Sequence, residues 1–505
     1  MIAKKSPLIL EGQIINSLFG YIGLFFIIRF IGLQQWGFLS FSLAFIGVLS
    51  IFSDLGFNSA HLRFMSMNDP DRAKYNGSFL TLKFITTFGT VLIILAALYI
   101  WVDVLHRGFQ SPVEYYSILI LIPYFAFNRL KDFYYITFNA KMQAARMMLP
   151  QIVEAVFRNS AFIYMGLMYK FRISIFMHVS AAIIFAIIYS FSYFIFFIVS
   201  YFLGRPWHIK KPEKTIIKKY ITLALPLAAS SIIATISGNI DKVLIQFFWH
   251  ASATGAYAAL QRITMPIITF SMALSVFFIP LLTREETKNG FNDNILVFER
   301  TISLFILPLV IIFIALRIFV ANLWSANLIP YSTLLIFMSL ANYLNVINSP
   351  YTSGLIVRGL TINIGKITLI SISSNIILDF ILIPKSIFGI TFFSLGVIGA
   401  AVATFIAMII EAVLFRFYVI KIEKSKINMK IFRQIIPASV QFIFLYLVAY
   451  YVRPYSVFLF LIFSIISIAI FFSLSIKMGE IKKSVIIDFI RELNPFKLSR
   501  TLKNE

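Results

Sequence analysis

Eight basic side chains, Arg29, Lys83, Arg129, Lys131, Arg158, Lys242, Arg262 and Arg317, interrupt runs that are otherwise apolar enough to cross a bilayer. On insertion scales each such charge costs roughly 2.5–3.5 kcal/mol, so the set persists only where water, a counter-charge or an anionic ligand meets it. Some of that compensation is written into the spacing. Glu154 stands four residues before Arg158, so the two share a helical face and can neutralise each other. Asp241 and Lys242 are consecutive, point in different directions on a helix, and each needs a partner from elsewhere. Asp132 adjoins Lys131, while Asp379 and Glu411 could take up H⁺ or Na⁺ or serve structure alone. The arginines suit phosphate better than lysines do, because a planar guanidinium bonds phosphate oxygens in pairs. Asn342, Asn345 and Asn348, three apart, fall near one face of a helix, where amides could meet sugar hydroxyls or hold helices together.

The remaining composition narrows the chemistry by exclusion. A chain of 505 residues that is 60% hydrophobic and 13% charged is a polytopic membrane protein. It has no cysteine, hence no disulfide framework or thiolate metal site, and its five scattered histidines show no metal spacing. A phosphate-cradling loop is absent: residues 359–366 come nearest but carry Leu360 and Ile367 at the wrong places. The net charge of +23 reads as topology and anionic-lipid attraction rather than nucleic-acid binding.

The elements that must position these groups are helices, since the apolar runs are continuous and lack the alternation of a transmembrane strand. Fourteen windows of suitable length lie near 8–31, 37–57, 79–102, 115–138, 147–168, 175–203, 220–249, 256–282, 299–323, 332–353, 361–383, 396–420, 433–452 and 456–478. With residues at span ends counted to the nearer gap, 31 of the 44 Lys and Arg fall in the termini and even-numbered gaps and 5 in the odd-numbered ones. The bias predicts both termini on the cytoplasmic side of a cell membrane. The expected architecture is all-α, with about fourteen spans: a six-helix lobe over 1–204, a basic linker at 205–219, a second six-helix lobe over 220–430, two further helices over 431–478, and an amphipathic basic tail over 479–505. In that tail Ile481, Val485, Ile486, Phe489, Ile490 and Leu493 share one face, as in a helix lying on lipid headgroups. Gly37 and Gly255, each opening a span after a short external gap, suggest a weak internal repeat.

Two segments carry a known pattern. Residues 29–38, reading Arg-Phe-Ile-Gly-Leu-Gln-Gln-Trp-Gly-Phe, with Asp54, Leu55, Gly56, Phe57 and then Arg63, resemble the N-terminal signature of polysaccharide flippases. Asn375 to Asp379, Ile383-Pro384, Gly396, Gly399-Ala400-Ala401 and Ala403-Thr404 resemble a string found late in the same superfamily. A softer match joins Asp241 and Lys242 to Gly255, Tyr257 and Arg262. By this resemblance the chain is similar to the polysaccharide transporter branch of the multidrug/oligosaccharidyl-lipid/polysaccharide exporter superfamily, which includes O-antigen repeat-unit and lipid II flippases.

The resemblance implies two lobes around a central cavity through which a polyprenyl-diphosphate-linked oligosaccharide crosses to the outer leaflet. It places Arg29, Arg63 and Arg262 where the lipid II branch keeps cavity arginines, and so implies a diphosphate clamp. Glu154, Arg158, Asp241, Lys242 and Asp379 are the expected ion-coupling or cavity residues, and the three asparagines the expected sugar contacts. No cofactor beyond H⁺ or Na⁺ is expected; anionic lipids and glycan-assembly enzymes are the expected partners, with no nucleic acid. Two other readings stay open: an exporter of small organic cations, whose cavity would be acidic and aromatic, and a membrane polymerase or glycosyltransferase, for which the short external gaps offer only Asp103, His106 and Glu114.

Overall fold

In lipid every backbone polar group must be satisfied within the chain, and the apolar runs meet that demand as helices. The structure is a computed structural model that describes residues 2–67, 71–104, 106, 108–173, 179–205, 207, 209–269, 271, 288–387, 389–423, 428–453 and 455–480. The helices are α1 (Ile2–Phe26), α2 (Leu33–Leu49), α3 (Phe57–Ser66), α4 (Arg72–Tyr99), α5 (Pro112–Leu130), α6 (Asp132–Ala140), α7 (Ala144–Lys170), α8 (Ala181–Gly204), α9 (Lys214–Phe248) and α10 (Ala251–Thr264). They continue as α11 (Lys288–Ala315), α12 (Arg317–Trp324), α13 (Leu334–Val357), α14 (Thr361–Leu382), α15 (Gly396–Glu423), α16 (Ile435–Tyr451) and α17 (Val457–Lys477). Among the described residues eight helices are long and apolar enough to cross a membrane by length and composition. A two-residue ribbon, Ser386–Ile387 against Ile390–Thr391, is the small exception to an all-helical chain. The tail residues 481–505, and with them the amphipathic face read from sequence, lie outside the described residues.

Several spans that read as single runs are interrupted. The run over 37–57 stops at Leu49, passes through a 3₁₀ turn and turns at Leu55 and Gly56, both at positive φ, before α3 begins. The run over 115–138 is broken at Lys131 into α5 and α6, and α1 passes into a π-helical segment, Ile27–Ile31, that carries Arg29. Charge accompanies two of the breaks: Asp54, beside the turn at Leu55 and Gly56, and Asp132, beside Lys131, both reach the buried Lys83. Ser111 caps α5 by accepting from the Val113 amide, with Pro112 at the first helical position.

The chain forms two compact units, one of residues 1–262 with 369–403, the other of 263–368 with 404–505. In the first unit Phe57, Phe79, Phe133, Phe138 and Tyr220 pack around α3, α4, α6 and α9. His61 is fully buried there, stacked on Phe79 at 3.9 Å, with Nδ1 2.7 Å from the Tyr220 hydroxyl and Nε2 3.0 Å from Thr137 Oγ1. The basic segment 205–219 lies within this unit and is strapped down. Trp207 packs on Phe138 at 4.7 Å, the Lys210 amide donates to Ala73, the Glu213 amide donates to Ser78 Oγ, and Lys74 pairs with Glu213 at 3.1 Å. The beginnings of α2 and α10 touch backbone to backbone: a Cβ on Gly37 would overlap the carbonyl of Ala251, and one on Gly255 the carbonyl of Leu33. Small residues permit that approach where any side chain would block it. In the second unit α11, α13 and α15 share a core of Phe298, Ile302, Ile306, Val346, Tyr351 and Phe415.

Candidate functional site

In the first unit, helices α9, α10 and α14 bring together two buried carboxylates of whose four oxygens three have no partner among the described residues. Asp379 is completely buried, and neither of its oxygens has a hydrogen-bond partner among the described residues. Asp241, also buried, is close enough for its charge to act on Asp379; its Oδ2 accepts from the Tyr257 hydroxyl at 2.5 Å, while Oδ1 is unpaired. Asn375, one helical turn before Asp379, accepts from Ser237 Oγ at 2.9 Å and leaves its Nδ2 without an acceptor. Burying an unpaired carboxylate is costly enough that two side by side call for a shared proton or a small cation. A hard cation at this place would take oxygen ligands. No group of three or more His, Cys, Asp or Glu suited to a metal occurs among the described residues, so the rest of a shell would come from amide, hydroxyl and carbonyl oxygens.

Beside this acid pair sit cations. Lys242 follows Asp241, is half-buried, and donates to the Gly238 carbonyl at 3.2 Å. Arg262, near the end of α10, acts electrostatically on both Lys242 and Tyr21 of α1. It is exposed and has no carboxylate partner among the described residues. Arg29 is exposed on the π-helical segment with its guanidinium 5.6 Å from the Phe25 ring, and Arg63 is exposed on the last turn of α3.

A second cluster joins the two helix breaks. Lys83 of α4 is fully buried, 3.5 Å from Asp54 and 3.4 Å from Asp132. Lys131 reaches Asp132 at 3.3 Å, Asn58 donates to Asp132 at 3.2 Å, and the Asn58 amide donates to Asp54 at 3.0 Å. Arg129 donates from Nη2 to Ser50 Oγ at 3.2 Å and lies over the Phe125 ring.

Two further charged groups are tied up in internal bonds. The Glu154–Arg158 pair forms as its spacing predicts, at 2.5 Å, with Ser192 donating to the same Glu oxygen and Tyr189 under the guanidinium. In the second unit Glu299 is saturated: Oε1 takes Arg416 at 2.5 Å, and Oε2 takes Tyr351 and Asn428, each at 2.9 Å. Asn348 is buried, and its Oδ1 accepts from Arg416 at 3.1 Å; Asn342 donates to the Thr264 carbonyl at 3.3 Å; Asn345 alone of the three is exposed. Glu299, Arg416 and Asn428 are among the residues lining an apolar cavity of about 830 Å³ between α11, α13, α15 and α16.

Of the residues singled out by sequence, the structure thus gathers Asp241, Lys242, Arg262 and Asp379, and commits Glu154, Arg158 and Asn348 to internal bonds. Tyr21 and Ser237 carry no sequence signal, while Tyr257 enters in sequence only as part of the softer motif match, without a role. Glu299 could have been found only as an acid at a span edge, and Asn375 stands out in sequence only as the first residue of the late motif string, without a role.

The sequence profile described as polysaccharide biosynthesis protein matches residues 2–285. Among solved structures, lipid II flippase MurJ in an inward closed conformation aligns with a TM-score of 0.71 at 19% identity, covering 94% of this chain and 99% of that one. An inward-facing multidrug resistance MATE family transporter of the MOP superfamily aligns at 0.63 and 15% identity, over 81% and 96% of the two chains. No curated relative matches. At these identities the likeness is one of fold, the fold of that superfamily of multi-span transporters.

Proposed function

Because the chain belongs to the polysaccharide biosynthesis protein family, we propose that it is a flippase that moves a polyprenyl-diphosphate-linked oligosaccharide from the cytoplasmic to the outer leaflet by alternating access. The observation that carries this reading is Arg262: an exposed, carboxylate-free guanidinium in an apolar helix, beside Lys242 and the Tyr21 hydroxyl. A diphosphate brings about two negative charges that such a group meets in paired bonds, while the prenyl tail stays in lipid. Arg29 and Arg63 complete the cationic path in this reading, and Asn345 offers an amide to sugar. The lobes over 1–204 and 220–430 are the moving parts, with both termini cytoplasmic. The acid pair Asp241–Asp379, with Asn375, takes the coupling ion, H⁺ or Na⁺.

Proteoliposomes with a defined diphospholipid-linked sugar, read leaflet by leaflet, test the proposal. The wild type should equilibrate the lipid between leaflets, and Arg262→Ala should slow it at least tenfold while still reaching the membrane. The acid pair also favours a second reading, export of organic cations, since carboxylates would meet such cargo. Uptake of a fluorescent organic cation without any movement of the diphospholipid would establish that reading and remove the first.

A further inference from the structure

The junction of α2, α4, α5 and α6 in the first unit holds more positive than negative charge. Lys83, Lys131 and Arg129 converge on Asp54 and Asp132, and Asp132 is acted on by all three cations at once. Asp54 and Asp132 are already committed to Lys83, Lys131 and the Asn58 amide and side chain. Two acids cannot neutralise three bases, so one positive charge is left over in a region that is largely out of water.

The excess is localised by hydrogen bonding. Among the described residues Arg129 has a single hydrogen-bond partner, Ser50 Oγ, and its Nε is buried with no acceptor. A guanidinium presents its donors in a fixed fork, so an unmet Nε beside a partly met Nη2 is half of a bidentate site. The Phe125 ring lies under the guanidinium, and the half-buried Lys131 ammonium, paired with Asp132, acts on the same carboxylate as Arg129 does.

We infer that Arg129 and Lys131 form a binding site for a phosphate-class anion inside the first unit, separate from the Lys242–Arg262 neighbourhood, with Ser50 holding the guanidinium: its Oγ accepts from Arg129 and gives its own proton to the Gly47 carbonyl at 2.7 Å. The two lie at different depths by sequence. Ser50 and Arg129 stand well over half-way along spans that run inward from the external side, and Lys83 stands near the cytoplasmic start of its own span. Lys242 and Arg262 lie toward the external ends of theirs. On the flippase reading, which supplies the identity of the anion but not the existence of the site, an entering diphosphate head meets Arg129 first and is handed outward. The phosphate of an anionic phospholipid presents the same oxygens.

Binding of inorganic pyrophosphate to the purified full chain, by calorimetry in phosphatidylcholine nanodiscs, decides the matter. In a Lys242→Gln/Arg262→Gln background, binding should persist, weaken at least tenfold on Arg129→Gln, and weaken several-fold on Ser50→Ala, which removes no charge and serves if the arginine variant fails to fold. Loss of all binding in that background, or affinity indifferent to both added substitutions, overturns the site. Phosphatidylglycerol in the disc separates the sources: competition with pyrophosphate identifies a phospholipid occupant, and no competition identifies the diphosphate head. Pyrophosphate bound at Arg129 by a protein that flips no lipid would leave the site standing and remove the flippase reading; normal flipping with no Arg129-dependent binding would do the reverse.

Discussion

The acids Glu299 and Asp379 are both buried in apolar helical units, yet one is fully bonded and the other wholly unbonded. Glu299 accepts from Arg416, Tyr351 and Asn428; Asp379 accepts from nothing among the described residues, and its neighbour Asp241 adds a like charge. A saturated carboxylate is finished structure: its charge is accounted for without any visitor. An unsaturated pair is an incomplete site, which folding tolerates because a proton or cation can complete it. The difference separates groups that hold the second unit together from groups free to do work in the first, although sequence alone gives both as acids in or beside an apolar run.

The comparison breaks most easily at Glu299. Glu299→Leu strands the Arg416 guanidinium and should lower stability by about 3–5 kcal/mol, seen as early unfolding in detergent; the double variant Glu299→Leu/Arg416→Met should regain much of the loss. A Glu299→Leu protein as stable as the wild type would mean the network is idle. Asp379→Asn should behave oppositely, keeping or raising the melting temperature while transport fails. Titrating the coupling ion sharpens this: at a hundredfold excess over its Kd the ion should stabilise the wild type by about 2.7 kcal/mol, and Asp379→Asn should show no response to either Na⁺ or proton.

The smallest effect concerns His61, which like Glu299 has its bonding capacity filled. It lies in the gap between the spans read at 37–57 and 79–102, and burial, with Lys83 nearby, holds its pKa well below the usual histidine range. Between the folded and unfolded pKa values the unfolded chain binds the extra proton, so stability rises with pH up to about 6.5 and is lost as pH falls. By pH 5.5 the loss should reach about 1.4 kcal/mol, and His61→Gln should flatten that part of the profile. An equal acid slope in both proteins would show that His61 is protonated in place.

Helical character, multi-span organisation and family were legible because apolar runs and motif order are local properties. Glu154–Arg158 was legible for the same reason, lying one turn apart on one helix. The breaks at Leu55–Gly56 and Lys131 were not: the Asp beside each meets Lys83 from a third helix. Asn348 could be placed on a face but not assigned to Arg416, which is 68 residues further along the chain. Residues 205–219 read as a linker by their charge and prolines, whereas Trp207 and Glu213 bind them to the first unit through partners that no spacing rule connects.

The crossing at Gly37 and Gly255 carries a consequence for how such a protein can be adjusted. Main chain meets main chain there, so no rotamer exists that could soften the junction and no smaller residue could relieve it. Even a single methyl, the least intrusive substitution available, oversteps the clearance. Tuning by degrees is therefore closed at this point, and a mutational series through Ala, Ser and Val should behave as a threshold rather than a slope.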